Sequence, residues 1–248
     1  MKAKKSLGQN FFVNDNLADK IVEQTLEHNP KTVVEIGPGK GFFTERFLSK
    51  GIRTVAIEKD NDLARNLKSE YQQLEILNED FLALDMDILG LNPHETVFYG
   101  SLPYNISKPI IRKILKSKQF KTSAYFIIQK EVAEKYVSKV PNSNILSLQT
   151  ELYADPKKLF DISKGSFRPI PNVTSSFIRF TYNPTELEIE NIKAFEGFLI
   201  SCFTSPRKTL RNNLRQKLNI KNIENELLSQ RPQQLTLEQY FQLFTLLK

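Results

Sequence analysis

The sequence is poor in the residues that build disulfide frameworks and metal centres. It has one cysteine, Cys202, and two histidines, His28 and His94, among 248 residues. A single cysteine excludes a disulfide framework within the chain and a zinc site made of cysteines, and it is typical of a reducing compartment. Neither histidine has other ligands at metal-binding spacing. We therefore expect no metal centre.

Long apolar runs are also missing. No run approaches the ~20 residues that a membrane span needs, and the N-terminus lacks the hydrophobic stretch of a secretory signal. The sequence therefore predicts a cytoplasmic protein without a membrane span. Its length suits one large domain, or a domain of medium size with a small appendage.

Acidic residues are outnumbered, and one stretch has none. The formal net charge is +7, which favours a polyanionic partner. No acid occurs between Glu196 and Glu224, where six basic residues stand: Arg207, Lys208, Arg211, Arg215, Lys217 and Lys221. A helix over 205–218 would align the three arginines on one face, where like charges repel. We predict that Arg207, Lys208, Arg211 and Arg215 bind an RNA backbone; the alternative is a solvated face.

Glycine is scarce, yet Gly37, Gly39 and Gly41 stand together. They follow a β-branched run at 32–36 and precede an amphipathic segment at 42–50, which predicts a buried strand, a turn and a helix. Glycine lets the backbone approach a ligand closely. The G-x-G-x-G spacing matches neither the dinucleotide fingerprint nor the phosphate loop.

A second predicted strand, at 53–57, ends in Glu58. An acid at this position of a βαβ unit is placed to bind the two hydroxyls of a ribose. The glycines and Glu58 together predict a ribose-bearing cofactor, and S-adenosylmethionine fits this description. Asp80 follows a third apolar run at 74–77, where it can accept from the adenine amino group. The alternatives are an NAD-type site and a purely structural glycine turn.

A proline turn follows the fourth predicted strand, at 95–99. Ligands of open parallel sheets lie beyond the carboxyl ends of the strands, so this turn should face the same crevice as the glycines. The exocyclic amine of a nucleobase is a poor nucleophile; the oxygen of Ser101 and the carbonyl of Leu102 can accept its N–H groups. Pro103 stiffens the turn, and Tyr104 can stack on a flipped base. The alternative is an ordinary proline turn.

Two further segments bring aromatic side chains to the predicted site. Gln9 and Asn10 precede two phenylalanines, of which Phe12 is the second, and this group can line a pocket. The loop at 165–171 places Phe167 between basic and proline residues, where it can close over a nucleobase opposite the tyrosine of the proline turn. The alternative is a loop anchored by one apolar side chain.

The remaining periodicities complete the predicted elements. We expect helices at 14–27, 108–117 and 130–138, and strands at 125–129, 146–152 and 175–182. Only helical patterns follow Asn183, at 189–203, 205–218, 223–229 and 237–247. We therefore predict two domains, 1–183 and 184–248.

Six motifs, in order along the chain, resemble those of the rRNA adenine N6-dimethyltransferase family. They are LGQNF at 7–11, EIGPGKG at 35–41, SLPYNIS at 101–107, QKEVA at 129–133, FRPIPNVTSS at 167–176 and RKTLRNNL at 207–214. The resemblance spans nearly the whole chain and is closest to the branch that acts on small-subunit rRNA. The runner-up is the large-subunit (23S) branch, which confers macrolide resistance.

The resemblance implies an α/β fold, with a Rossmann-like class I S-adenosylmethionine-dependent methyltransferase domain and a small all-helical C-terminal domain. The implied activity is the transfer of two methyls to each of two adjacent adenines of small-subunit rRNA, late in ribosome assembly. We expect a monomer whose partner is the assembling small ribosomal subunit.

The resemblance also assigns residues. It implies cofactor binding by Gln9, Asn10, Phe12, Gly37, Gly39, Glu58, Asp80 and Ser101, and a catalytic group of Ser101, Leu102, Pro103, Tyr104 and Phe167. The family usually has Asn at the position of Ser101. Serine keeps an acceptor oxygen but is shorter and lacks the amide donor. Two other interpretations follow: a catalytically silent rRNA-binding assembly factor, and a small-molecule methyltransferase.

Overall fold

The described part of the computed structural model, residues 10–215 and 223–247, contains nine strands and nine α-helices. The strands are β1 (Phe11–Phe12), β2 (Thr32–Ile36), β3 (Arg53–Ile57), β4 (Glu75–Leu77), β5 (Thr96–Ser101), β6 (Ser123–Gln129), β7 (Ala154–Ile162), β8 (Phe167–Arg168) and β9 (Ser175–Tyr182). The helices are α1 (Asp15–Thr25), α2 (Thr44–Ser49), α3 (Asn61–Glu70), α4 (Ser107–Leu115), α5 (Lys130–Tyr136), α6 (Ile145–Glu151), α7 (Ile192–Cys202), α8 (Leu210–Leu214) and α9 (Leu237–Leu246).

A seven-stranded sheet has the strand order β4-β3-β2-β5-β6-β9-β7. The pairs from β4 through β6 are parallel, and β9 runs antiparallel to β6. The carboxyl ends of β2, β3, β4 and β5 therefore meet at one edge. The predicted α/β fold with a mainly parallel sheet is confirmed.

Strand β2 is an inner strand of this sheet, between β3 and β5. All five of its residues are buried, as in strands covered on both faces. Aromatic side chains pack beside it: the Phe43 and Tyr99 ring centroids lie 4.9 Å apart, and those of Phe47 and Tyr99 5.2 Å apart. Each fully buried side chain of this size contributes about 1.5–3 kcal/mol.

The described residues divide into two compact units. Residues 10–133 and 157–182 form the first unit, and residues 134–156, 183–215 and 223–247 form the second. Residues 134–156, predicted in the first domain, group with the second unit. The two-domain division at residue 183 stays a prediction. The described regular elements after residue 183 are all helical.

Two elements near residue 150 differ from the prediction. The predicted strand at 146–152 is wrong, because the segment is helix α6. Asn144 caps this helix by accepting from the backbone N–H of Ser147, while the Ser147 hydroxyl accepts from the N–H of Asn144. This reciprocal cap fixes the first turn of the helix. Strand β7 was not predicted; it lies at the sheet edge, where its Pro156 is tolerated.

A short antiparallel pair joins distant parts of the first unit. Phe11 pairs with Arg168, and Phe12 pairs with Phe167. This pairing brings the segment after residue 9 to the loop that precedes β9. It also brings both segments to the site described next.

Candidate active site

A cavity of about 470 Å³ lies at the carboxyl edge of the sheet, within the first unit. The predicted cofactor-binding and catalytic residues that the structure describes all line it. They are Asn10, Phe12, Gly37, Gly39, Glu58, Asp80, Ser101, Leu102, Pro103, Tyr104 and Phe167. Gln9, also predicted here, lies outside the described residues. The structure therefore gathers the predicted cofactor residues and the predicted catalytic residues around one space.

The glycine turn, residues 37–41, follows β2 and borders this cavity. Gly37 has φ +67° and Gly39 has φ +61°, a backbone conformation that side chains disfavour. A Cβ on Gly37 would meet no atom within 4 Å, whereas one on Gly39 would come within 3.2 Å of the Phe11 ring. The turn thus presents bare backbone to the cavity.

Glu58 stands at the end of β3 with both carboxylate oxygens anchored. Oε2 accepts from the backbone N–H of Gly39 at 3.1 Å, and Oε1 accepts from that of Asp60 at 2.8 Å. Burial raises the pKa of Glu58, and these hydrogen bonds oppose the rise. Each oxygen can accept a further hydrogen bond. The carboxylate is thus suited to two vicinal hydroxyls of a ribose.

Asp80, after β4, is held in a fixed orientation. Its Oδ2 accepts from Lys59 Nζ at 2.8 Å, and its Oδ1 accepts from the backbone N–H of Leu82 at 2.9 Å. The hydrogen bond from Lys59 is the main cause that lowers the pKa of Asp80. An ionised carboxylate beside the cavity is an acceptor for an amino group.

Sequence reasoning missed Glu35, a second buried acid at this edge. It belongs to β2, is 2% exposed and borders the cavity. The Thr44 hydroxyl donates to its Oε2 at 2.6 Å. Burial raises its pKa to about 8 despite this hydrogen bond, and the nearby Glu58 adds to the rise. An acid inside an otherwise apolar strand was the available signal.

The acceptor motif, residues 101–104, begins inside β5, which runs two residues beyond its predicted end. The N–H of Leu102 donates to the carbonyl of Ile127 on β6 at 3.1 Å, and the Pro103 carbonyl accepts from the N–H of Ile106 at 3.2 Å. These bonds hold the two peptides on either side of the Leu102–Pro103 peptide, whose carbonyl is a predicted acceptor. The Ser101 side chain is half-buried at the cavity wall.

Tyr104 is fixed at its hydroxyl end. Its hydroxyl shares a hydrogen bond with the Ser175 hydroxyl at 2.7 Å. Burial raises the pKa of Tyr104, so the phenol stays protonated at neutral pH. Ser175 is fully buried at the start of β9, and sequence reasoning gave it no role. Its only signal was its place in the last motif of the first unit.

Phe167 lies at the cavity but its ring is 2% exposed. The ring meets Phe12 edge to face, with centroids 5.1 Å apart. The geometry agrees with the alternative of a loop anchored by one apolar side chain. Stacking of Phe167 on a nucleobase stays a prediction.

The basic segment, residues 207–215, lies in the second unit and departs from its prediction. Helix α8 begins only at Leu210, after the N-cap Thr209. The Asn213 side chain closes the preceding turn by bonding both the N–H and the carbonyl of Ser205. Arg207 therefore lies before the helix, and the predicted shared face of Arg207, Arg211 and Arg215 is wrong.

The four predicted RNA-binding cations differ in exposure. Arg207, Lys208 and Arg215 are exposed, whereas Arg211 is half-buried and donates to the carbonyl of Ile223 at 2.8 Å. Lys217 and Lys221 lie outside the described residues. RNA binding by this segment stays a prediction.

Across residues 10–215 and 223–247, no three His, Cys, Asp or Glu side chains gather as metal ligands. No helix within the same described ranges is long and apolar enough to cross a bilayer.

Comparison with known proteins gives the family. A family model described as ribosomal RNA adenine dimethylase matches residues 1–248. The ribosomal RNA small subunit methyltransferase A of Chlorobium phaeobacteroides is 33% identical over 244 residues, which cover 97% of this chain and 90% of that protein. The Mycoplasma capricolum protein of the same name is 34% identical over 261 residues, which cover 100% and 98% of the two chains.

A solved structure shows the same fold. The 23S rRNA methyltransferase ErmE matches with a TM-score of 0.70 over 96% of this chain and 99% of its own, at 24% identity. Identity at this level indicates the shared class I methyltransferase fold and no particular substrate. The family model and the relatives go further: this chain belongs to the ribosomal RNA adenine dimethylase family and is an rRNA adenine methyltransferase.

Proposed function

We propose that this enzyme transfers methyl groups from S-adenosylmethionine to the N6 amines of two adjacent adenines in small-subunit rRNA, during assembly of that subunit in the cytoplasm. One observation carries the proposal. A carboxylate suited to ribose, Glu58, and the acceptor motif line a single cavity. The names of the relatives favour the small subunit as the target. We further propose that the protein acts as a monomer.

The residues present fit S-adenosylmethionine. Gly37 offers an open backbone face for the methionine part, Glu58 can accept from both ribose hydroxyls, and Asp80 can accept from the adenine amine. Asn10 and Phe12 border the same space. The cofactor, when bound, supplies an electrophilic methyl group on a sulfonium.

The acceptor motif prepares the nucleophile. An adenine amine has its lone pair delocalised into the ring. If the Ser101 hydroxyl and the Leu102 carbonyl each accept one N–H, the nitrogen becomes more pyramidal and its lone pair points at the methyl group. The hydrogen-bonded peptides on either side of the Leu102 carbonyl keep this acceptor in place, and the Tyr104 ring can stack on the flipped base.

Ser101 is the position that tests this mechanism. We expect Ser101→Asn to retain or raise the rate of methyl transfer, because an amide oxygen also accepts and reaches further. We expect Ser101→Ala to lower the rate about tenfold, since it removes one hydrogen bond to the reacting amine. Single-turnover assays on saturating RNA measure both rates. Equal rates for the wild type and both variants would remove Ser101 from the mechanism.

The target is tested with methyl-deficient ribosomal subunits and labelled S-adenosylmethionine, followed by nucleoside analysis. We expect N6,N6-dimethyladenosine in small-subunit rRNA alone. Label only in large-subunit rRNA would assign the chain to the 23S branch. Cofactor binding without label in either subunit would identify a catalytically silent assembly factor.

A further inference from the structure

A lysine that contacts the backbone beside the cavity has no role in the function described so far. Lys113 belongs to α4, the helix that follows the acceptor motif. Its ammonium donates to the carbonyls of Phe81 at 2.7 Å, of Leu82 at 3.0 Å, and of Leu84. It also lies over the Phe81 ring, 5.3 Å from the centroid.

These carbonyls belong to the adenine turn, which we define as residues 81–84. The turn forms no helix or strand, so its carbonyls lack the partners that regular structure supplies. A lysine ammonium has three N–H donors, and the adenine turn presents three carbonyls to it. Burial lowers the pKa of Lys113, while the carboxylates of Asp80 and Asp85 oppose that change.

The adenine turn also forms part of the predicted adenine site. Asp80 and Phe81 both line the cavity. The N–H of Leu82 donates to Asp80 Oδ1, and the carbonyl of the same residue accepts from Lys113. The N–H groups of Ala83 and Leu84 bond the Asp80 carbonyl at 2.9 and 3.0 Å. Lys113 thus anchors the backbone that orients the Asp80 carboxylate.

We propose that Lys113 is a positioning residue for the adenine of the cofactor. Its ammonium holds the adenine turn, and through it Asp80 and Phe81, in the geometry that receives the purine, without touching the cofactor itself. The inference rests on the proposed binding of S-adenosylmethionine in this cavity. It connects the backbone beside the cofactor pocket to α4, the helix that follows the acceptor motif.

The test compares S-adenosylmethionine affinity by calorimetry in the full chain. Lys113→Met keeps most of the apolar stem and removes all three donors; we expect the Kd to rise about tenfold. Lys113→Arg keeps the charge, but its planar fork does not match three carbonyls around one point, so we expect an intermediate Kd. The matched control is Lys118→Met, because Lys118 is exposed and pairs with Asp87 beyond the turn; we expect the wild-type Kd.

Three readouts separate positioning from general stability. In the ligand-free protein, amide hydrogen exchange at residues 82–84 should accelerate in Lys113→Met and not in Lys118→Met. The losses of affinity in Lys113→Met and Asp80→Asn should be less than additive, because both act through one carboxylate. KM for the cofactor should rise while kcat at saturating cofactor stays within about twofold of the wild type.

The outcomes are distinguishable. Wild-type affinity in both Lys113 variants, or fully additive losses with Asp80→Asn, would overturn the inference and leave the proposed function intact. A wild-type chain that fails to bind S-adenosylmethionine would overturn the proposed function itself. All titrations are made well below the melting temperature of each variant, so that folding does not enter the comparison.

Discussion

The cofactor edge, by which we mean the carboxyl edge of the sheet that carries Glu58 and Asp80 in the first unit, was predicted from short stretches of sequence. So was the basic segment of the second unit. The two regions differ in how far the structure restrains their functional groups. At the cofactor edge, backbone hydrogen bonds restrain the functional groups: Glu58 is bonded to two N–H groups and Asp80 to one. In the basic segment, Arg207 and Lys208 are exposed and precede the helix that was expected to align them. Glycine permits the positive-φ turn that follows β2, and hydrogen bonds fix the acids at the strand ends, whereas exposed surface charges are held in no single geometry.

The sharpest test of this difference is Glu58→Ala. The variant removes the proposed acceptor for two ribose hydroxyls and leaves the N–H groups of Gly39 and Asp60 without their partner. Hydrogen bonds to charged groups are worth about 1.5–3 kcal/mol each, so we expect the Kd for S-adenosylmethionine to rise about 100-fold or more. The control is Glu79→Ala, an exposed acid that also borders the cavity. A similar loss in both variants would mean that negative charge alone, not the anchored geometry, binds the cofactor.

The same contrast explains which elements could be predicted. Strands β2, β3 and β9 match their predicted bounds, because short segments rich in β-branched and aromatic residues indicate strands. Strand β7 was missed because it is half exposed, contains a proline and reads as a loop. The segment at 146–152 was misassigned, since apolar spacing alone does not separate a short strand from a short helix and the cap at Asn144 decides.

Only part of the site could be predicted from the sequence. The ends of parallel strands meet at one sheet edge, so Glu58, Asp80 and Ser101 could be placed together from sequence. The hydrogen bond between Tyr104 and Ser175 joins residues far apart in the chain. The hydrogen bond from the Lys113 ammonium to the Phe81 carbonyl in the adenine turn also joins distant residues. Such contacts depend on register and packing between elements, which local patterns do not encode.

Glu35, a buried acid of the first unit, is expected to make the stability of the protein depend on pH. The pKa of Glu35 is raised from 4.5 to about 8, so between these values the folded chain holds a proton that the unfolded chain has released. Stability therefore falls as pH rises through this window, by up to about 1.4 kcal/mol per pH unit, and levels off above it.

Urea unfolding at pH 5.5 and pH 8 measures this effect. We expect Glu35→Gln to flatten the pH dependence and to be more stable than the wild type at pH 8. Glu45→Gln, an exposed change in the nearby α2, is the control and should retain the wild-type slope. An unchanged slope in Glu35→Gln would show that Glu35 is ionised throughout, with a partner that compensates for its burial.

The basic segment is tested by the double variant Arg207→Ala with Lys208→Ala. Both side chains are exposed, so we expect no loss of stability and no change in cofactor affinity. If each binds a phosphate, rRNA affinity should fall about tenfold, and the slope of log K against log salt should shrink by about 1 to 2. Lys139→Ala with Lys193→Ala removes two exposed charges from the same unit as the control. Equal losses in both double variants would indicate general attraction by net charge, not a defined RNA contact.

The smallest expected effect lies in the first unit, at the hydroxyl of Tyr104. Tyr104→Phe keeps the ring that can stack on the base but removes its 2.7 Å hydrogen bond to Ser175. A neutral hydrogen bond contributes about 0.5–1.5 kcal/mol, so we expect kcat on rRNA to fall about threefold, with unchanged affinity for the cofactor. Ser175→Ala should cause a similar loss, and the double variant should lose no more than either single variant, because one hydrogen bond is removed in each case. Ser176→Ala, which instead breaks a hydrogen bond to Asp161, is the neighbouring control. Additive losses at Tyr104 and Ser175 would show that the two hydroxyls act separately, and the orientation of the tyrosine ring would then depend on packing alone.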